Sequence, residues 1–233
     1  MKVTSTKDHL DHGIKALIYG ASGVGKTTLA STLEGRTIIL SLEAGLLSLQ
    51  DFDIDVIDFS GFTNPQEKHA EIAKAYRYLN ENKAKYDNVY IDSLSEIAAN
   101  LVAALKSQYV DRKDALVLWG EYSEKMRMLI KSFRDLKGLN VFFTALQATD
   151  QDESKRRFAG VDMPGKISHQ CLAMFDEVFA YRMAEGDDGE EKRFLQCHPS
   201  SDFAAKDRSG RLNKFERPNL GEILTKIKGA KNV

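Results

Sequence analysis

Eight consecutive residues, Gly20-Ala21-Ser22-Gly23-Val24-Gly25-Lys26-Thr27, follow the spacing G-x-x-x-x-G-K-[ST], a pattern that cradles polyphosphate. Glycines let backbone N–H groups curl around phosphate oxygens with no Cβ in the way. A lysine at the seventh place reaches the β- and γ-phosphates, and the hydroxyl after it ligates Mg²⁺. Lys26 and Thr27 hold those places, with Thr28 next. The expected cofactors are therefore ATP and Mg²⁺, held by residues 20–28.

Further positions suit the same chemistry. Asp92 closes the run Asn88-Val89-Tyr90-Ile91; a carboxylate there joins the Mg²⁺ shell through Thr27 and water, or else caps the following helix. Glu43 follows Thr37-Ile38-Ile39-Leu40-Ser41-Leu42 and could orient and activate a water, or be a solvated loop carboxylate. Gln147, after Asn140–Ala145, could sense the γ-phosphate, or be an ordinary surface amide. Lys206 and Arg208 are two apart and share a face if extended, a pair suited to a triphosphate. Far from the glycine loop in sequence, they could act on a neighbouring subunit's site, an effect worth about 10³–10⁵ in rate, or form a solvated basic turn.

Two polar loops mix cations with aromatics. Residues 106–120 hold Lys106, Arg112, Lys113 and Trp119; residues 148–165 hold Lys155, Arg156, Arg157 and Phe158. Phosphate neutralisation plus stacking of about 1–3 kcal/mol per base makes a single-stranded DNA site. Mobile solvated loops are the alternative, and Trp119 is expected in the core.

These residues need a frame. Residues 14–19, 37–42, 54–58, 88–93 and 140–145 read as strands, short and apolar between turn signals. A helix follows the glycine loop. Another starts at Asn64-Pro65-Gln66-Glu67, with an Asn cap, Pro at the first position and Glu at the third. Tyr122, Met126, Leu129, Ile130, Phe133 and Leu136 form an amphipathic stripe, residues 107–120 read as irregular, and residues 148–165 lack periodicity. Residues 176–183 and 192–198 read as a hairpin, and a last helix follows Asn219. Strand–helix alternation implies an α/β fold with a mainly parallel sheet covered on both faces and a C-terminal antiparallel hairpin. In such sheets ligands bind beyond the carboxyl ends of the strands, where the glycine loop, Glu43, Asp92 and Gln147 all fall.

With 233 residues the chain reads as one domain, 14–233, after a polar lead-in, 1–13. A net charge of −1 gives no global pull on polyanions, so any nucleic-acid site must be local. No run approaches the ~18 apolar residues of a membrane span, and the start carries no signal-peptide core; the cytoplasm is the expected compartment. Cys171 and Cys197 lack zinc spacing, and no disulfide is expected.

Leu17–Ala30, Tyr90-Ile91-Asp92-Ser93-Leu94, Trp119-Gly120-Glu121-Tyr122, Phe143-Thr144-Ala145, Pro164-Gly165-Lys166, Phe175-Asp176-Glu177-Val178 and Ala205-Lys206-Asp207-Arg208-Ser209-Gly210 together resemble phage-encoded RecA-like ATPases of the Sak type. The resemblance implies a RecA-like core, homo-oligomers in rings or filaments, binding of single-stranded DNA, strand annealing in phage recombination, and a single-strand-binding protein as a further candidate partner. It also implies that Glu43 is the catalytic glutamate, that Gln147 couples nucleotide to the second DNA loop, and that Lys206 and Arg208 are paired fingers. No long N-terminal polymerisation module, zinc motif or C-terminal DNA domain is expected, so annealing, not full strand exchange, is the expectation. A helicase- or loader-type motor would share the fingers but unwind duplex. A small-molecule phosphotransferase would be monomeric with an acceptor pocket.

Overall fold

The computed structural model describes residues 12–43, 45–109, 115–151, 157–185 and 189–229. Within them the strands are β1 (Lys15–Gly20), β2 (Thr37–Ser41), β3 (Asp55–Asp58), β4 (Asn88–Asp92), β5 (Asn140–Gln151), β6 (Arg157–Val161), β7 (Glu177–Glu185), β8 (Glu191–Gln196), β9 (Lys206–Asp207) and β10 (Phe215–Glu216). The helices are α1 (Pro65–Asn82), α2 (Leu94–Lys106), α3 (Ala115–Arg134), α4 (Ile167–Gln170) and α5 (Leu220–Lys228). The sheet runs β10-β8-β7-β1-β5-β4-β2-β3. From β7 to β3 every neighbouring pair is parallel, and β8 and β10 close one edge antiparallel.

Side chains alternate along each central strand. Leu17, Tyr19, Val89, Ile91, Val141 and Phe143 face a core shared with α1, α2 and α3. Ile18, Ile39, Tyr90, Phe142 and Phe179 face a second core, shared with α5 and the turn after the glycine loop. Burial on both faces is why these strands read as unbroken apolar runs. The caps form as the sequence implies. Asn64 Oδ1 accepts from the N–H of Gln66 at 2.9 Å and of Glu67 at 3.2 Å, and Asn219 Oδ1 accepts from Glu222 N–H at 3.1 Å. The latter starts α5, which buries Leu220, Ile223, Leu224 and Ile227, each burial favouring the fold by about 1.5–3 kcal/mol.

Four expectations are corrected. The segment after the glycine loop is a six-residue 3₁₀ helix, Thr27–Thr32, in place of an α-helix. Ser31 and Thr32 hydroxyls donate back to the carbonyls of Thr28 (2.8 Å) and Leu29 (2.7 Å), three residues earlier, which suits the tighter turn. Next, α3 already begins at Ala115, because buried Leu118 extends the stripe of Tyr122 and Met126 by one turn. Trp119 lies one position off that stripe; it is 41% exposed and sits edge-on to Tyr122 at 5.7 Å, not in the core. Finally, residues 148–165 are not a featureless loop. β5 runs on to Gln151 and pairs antiparallel with β6, from Gln147↔Val161 to Gln151↔Arg157. The ladder is fastened by Ala159 N–H to Asp202 O (2.6 Å), Ala204 N–H to Ala159 O (3.2 Å) and the Tyr19 hydroxyl to Ala159 O (3.0 Å). Backbone pairing carries the outer part of this ribbon, and Ala159 and Val161 seat its inner part in the core.

Candidate nucleotide site

The glycine loop leaves the carboxyl end of β1, between β5 and β7. Gly20 and Gly25 answer a steric demand from β7. A Cβ on Gly20 would lie 2.4 Å from Tyr181 O. Gly25, at φ +103°, would bring one within 3.3 Å of Tyr181 Oη. Lys26 folds over this cradle and is 8% exposed. Its Nζ donates to the carbonyls of Gly20 (3.0 Å) and Ala21 (2.9 Å). Burial pulls its ammonium below the usual lysine range, and the charges of Asp92 and Glu43 oppose that pull. A phosphate would offer this ammonium a charged acceptor in place of two neutral ones.

Thr27 Oγ1 donates to Asp92 Oδ2 at 2.6 Å. The other oxygen of Asp92 accepts from the Thr144 hydroxyl, carried by β5. Tyr90 Oη donates to Lys26 O at 2.5 Å, clamping the start of the 3₁₀ helix onto β4. Ser93, not Asp92, caps α2: its Oγ accepts from Glu96 N–H at 3.3 Å. The same hydroxyl donates to Glu43 Oε1. The end of β2 is fixed beside β4 by Leu42 N–H to Asp92 O at 2.7 Å and Ser41 Oγ to Glu43 O at 2.7 Å. Lys68 of α1, itself 8% exposed, adds a bond to Leu42 O at 3.4 Å and an ion pair with Glu96 at 3.5 Å. Glu43 itself is exposed.

Gln147 lies inside β5, not beyond its end as the sequence suggests, and is exposed. Leu146 is level with Gly20 across the β1–β5 pair, so Gln147 stands one residue past the start of the glycine loop. The loop, Thr27, Asp92, Glu43 and Gln147 thus share one edge of the sheet. Their hard oxygen donors are the kind Mg²⁺ takes, and the glycine cradle with Lys26 fits a polyphosphate. Among the described residues no group of three or more His, Cys, Asp or Glu could hold a metal alone.

Lys206 and Arg208 are elsewhere. Asp207 pairs with Glu177, which is level with Ala16, whereas Gly20 is level with Tyr181. Four residues of β7, about 13 Å, separate the two levels. Lys206 Nζ donates to Leu172 O (3.3 Å) and to Phe175 O; burial, then the Arg208 charge, lowers its pKa. Arg208 Nη1 pairs with Asp176 Oδ1 at 2.7 Å on the surface. Both cations reach toward residues 172–176. Of the candidate DNA contacts, Lys106 ends α2 exposed and Arg157 opens β6 exposed. Phe158 is half-buried, its ring 5.6 Å from His169. Arg112, Lys113, Lys155 and Arg156 lie outside the described residues.

A glycine cradle with its lysine and hydroxyl after β1, and a buried aspartate ending β4 in a parallel sheet, define a P-loop NTP-hydrolysing enzyme. Residues 12–209 match the family model AAA_24, described as an AAA domain, and the chain belongs to that family. Membership implies a bound nucleotide. Among solved structures the chain is similar to a prototypical ATPase from the type III secretion system of pathogenic bacteria. The TM-score is 0.51 at 14% identity, over 73% of this chain and 52% of that one. The chain thus spans about half the length of that ATPase, and the likeness is one of fold, a RecA-like ATPase core. A comparison with curated proteins finds no match. No helix among the described residues is long and apolar enough to cross a membrane.

Proposed function

We propose that the chain is an Mg²⁺-dependent ATPase whose site is completed by a second copy, and that it binds single-stranded DNA and promotes annealing of complementary strands, as phage recombination proteins of the Sak type do. The observation that carries the shared site is the separation of its parts. Lys26, Thr27, Asp92 and Glu43 gather at the carboxyl end of the parallel strands, while Lys206 and Arg208 lie toward the amino end of β7 and bond to residues 172–176. The nucleotide they suit is a neighbour's.

Bound Mg²⁺ supplies charge neutralisation at the β- and γ-phosphates. Lys26 exchanges the carbonyls of Gly20 and Ala21 for phosphate oxygens. Thr27 and Asp92 would hold the metal, and Thr144 fixes the second oxygen of Asp92. Glu43, oriented by Ser93, positions the attacking water and takes its proton as the bond to the leaving ADP oxygen breaks. Gln147 reports the γ-phosphate to the β5–β6 ribbon, whose Arg157 meets DNA phosphate. Lys206 and Arg208 of the neighbour neutralise charge in the transition state. ATP turnover with and without single-stranded oligonucleotide, alongside annealing of complementary strands, tests this reading. Several-fold stimulation with accelerated annealing is expected; indifference to DNA in both assays refutes it.

A further inference from the structure

Two buried carboxyl groups face each other where β9 meets β7. Glu177 opens β7 and is 1% exposed; directly opposite stands Asp207, its side chain 2% exposed. Asp207 is well supplied with donors from its own turn. It accepts from Ser209 Oγ (2.6 Å), Gly210 N–H (3.0 Å) and Leu212 N–H (3.0 Å), and His198 Nε2 lies 3.6 Å away. Glu177 is not so supplied. Its Oε1 accepts from Ser209 N–H at 3.2 Å, but its buried Oε2 has no donor among the described residues. Like charges directly opposite in a ladder repel, and a buried unpaired carboxylate oxygen is costly. One proton between the two groups removes both problems. It belongs on Glu177, because three donors of the turn favour a charged Asp207 and a single one, Ser209 N–H, reaches Glu177.

We propose that Glu177 is a positioning residue: as a neutral acid it donates to Asp207, locks the 206–212 turn, and releases that turn with Lys206 and Arg208 when its proton leaves. The function of the lock rests on the reading of these two cations as trans-acting; the lock itself does not. The titratable groups facing Glu177 are Asp207 and Lys206 of β9, Asp176 before it in the chain and the buried Cys197 thiol. Burial, reinforced by the Asp207 charge, pushes Glu177 up to about 8. Burial pushes Asp207 up as well, but its hydrogen bonds from Ser209, Leu212 and Gly210 outweigh this and hold it below the usual range. A raised acid in the folded chain means the fold binds a proton that the unfolded chain has lost. The stabilisation is full below the ordinary glutamate range and disappears as pH rises through about 8.

Hydrogen exchange of residues 206–212 between about pH 6 and 9, corrected for base-catalysed chemistry, tests the lock in the wild type and in Glu177→Gln, whose amide donates to Asp207 at every pH. Wild-type protection should fall about tenfold per pH unit up to about pH 8 and level off above it, while Glu177→Gln stays flat. Parallel curves in the two proteins, or no loss in the wild type, overturn the proposal. Should Glu177→Gln fail to fold, Asp207→Asn serves instead. Removing the neighbouring charge must lower the midpoint, and an unmoved midpoint overturns the proposal. ATPase–pH profiles separate the two readings: exchange as expected with identical ATPase profiles leaves the lock standing and removes the trans-acting cations.

Discussion

Thr144→Val removes one hydroxyl and nearly preserves volume. Thr144 is fully buried and Asp92 is 5% exposed, so no water can replace the bond the hydroxyl donates to Asp92 Oδ1. A hydrogen bond to a charged group is worth about 1.5–3 kcal/mol, against roughly 0.5–1.5 for a neutral pair. The variant should therefore lose about 1.5–3 kcal/mol of stability in urea titration, or roughly 3–12 °C in Tm for a domain of this size. A double-mutant cycle isolates the charge. In an Asp92→Asn background the same substitution should cost roughly 0.5–1.5 kcal/mol, leaving a coupling of about 1–1.5 kcal/mol. Thr144→Ser, which keeps the donor, should hold most of the wild-type coupling. Equal costs of Thr144→Val in the two backgrounds would refute the claim that this hydroxyl serves the carboxylate and not merely the packing of β5.

Ser93→Ala removes both the cap of α2 and the donor to Glu43. It should cost about 1 kcal/mol in a melt and lower kcat with little change in KM, with Ser93→Thr restoring both; an unchanged kcat would detach Ser93 from Glu43 in turnover. Arg157→Ala should weaken single-stranded DNA binding and reduce the salt slope by about one phosphate contact; an identical slope would show that Arg157 misses the backbone.

The nucleotide loop was legible because its identity is local: glycines, lysine and hydroxyl lie within one turn of chain, after a β-prone run. The central strands were legible because two-sided burial writes itself as consecutive apolar residues, and the α1 and α5 starts because Asn64 and Asn219 satisfy N–H groups two or three residues away. The Thr144–Asp92 and Ser93–Glu43 bonds carry no such local signature. A hydroxyl midway along one strand gains meaning only from register, which sets β5 beside β4 so that Thr144 meets Asp92. The proton shared by Glu177 and Asp207 was invisible for the same reason, since those residues are thirty apart in sequence and opposite in space. The β5–β6 ribbon is less legible because its outer pairs rest on a backbone ladder and its buried residues, Ala159 and Val161, are too few to make a pattern.

β5 is one unbroken member from the aspartate's partner to the far end of the ribbon. Thr144 touches Asp92, and Gln151 lies seven residues on, a reach of roughly 24 Å at the usual rise of a strand. Were the strand to move as one piece, a tilt of about one degree at the inner end would sweep the outer end through roughly 0.4 Å, so a small displacement at Asp92 would be magnified along the strand.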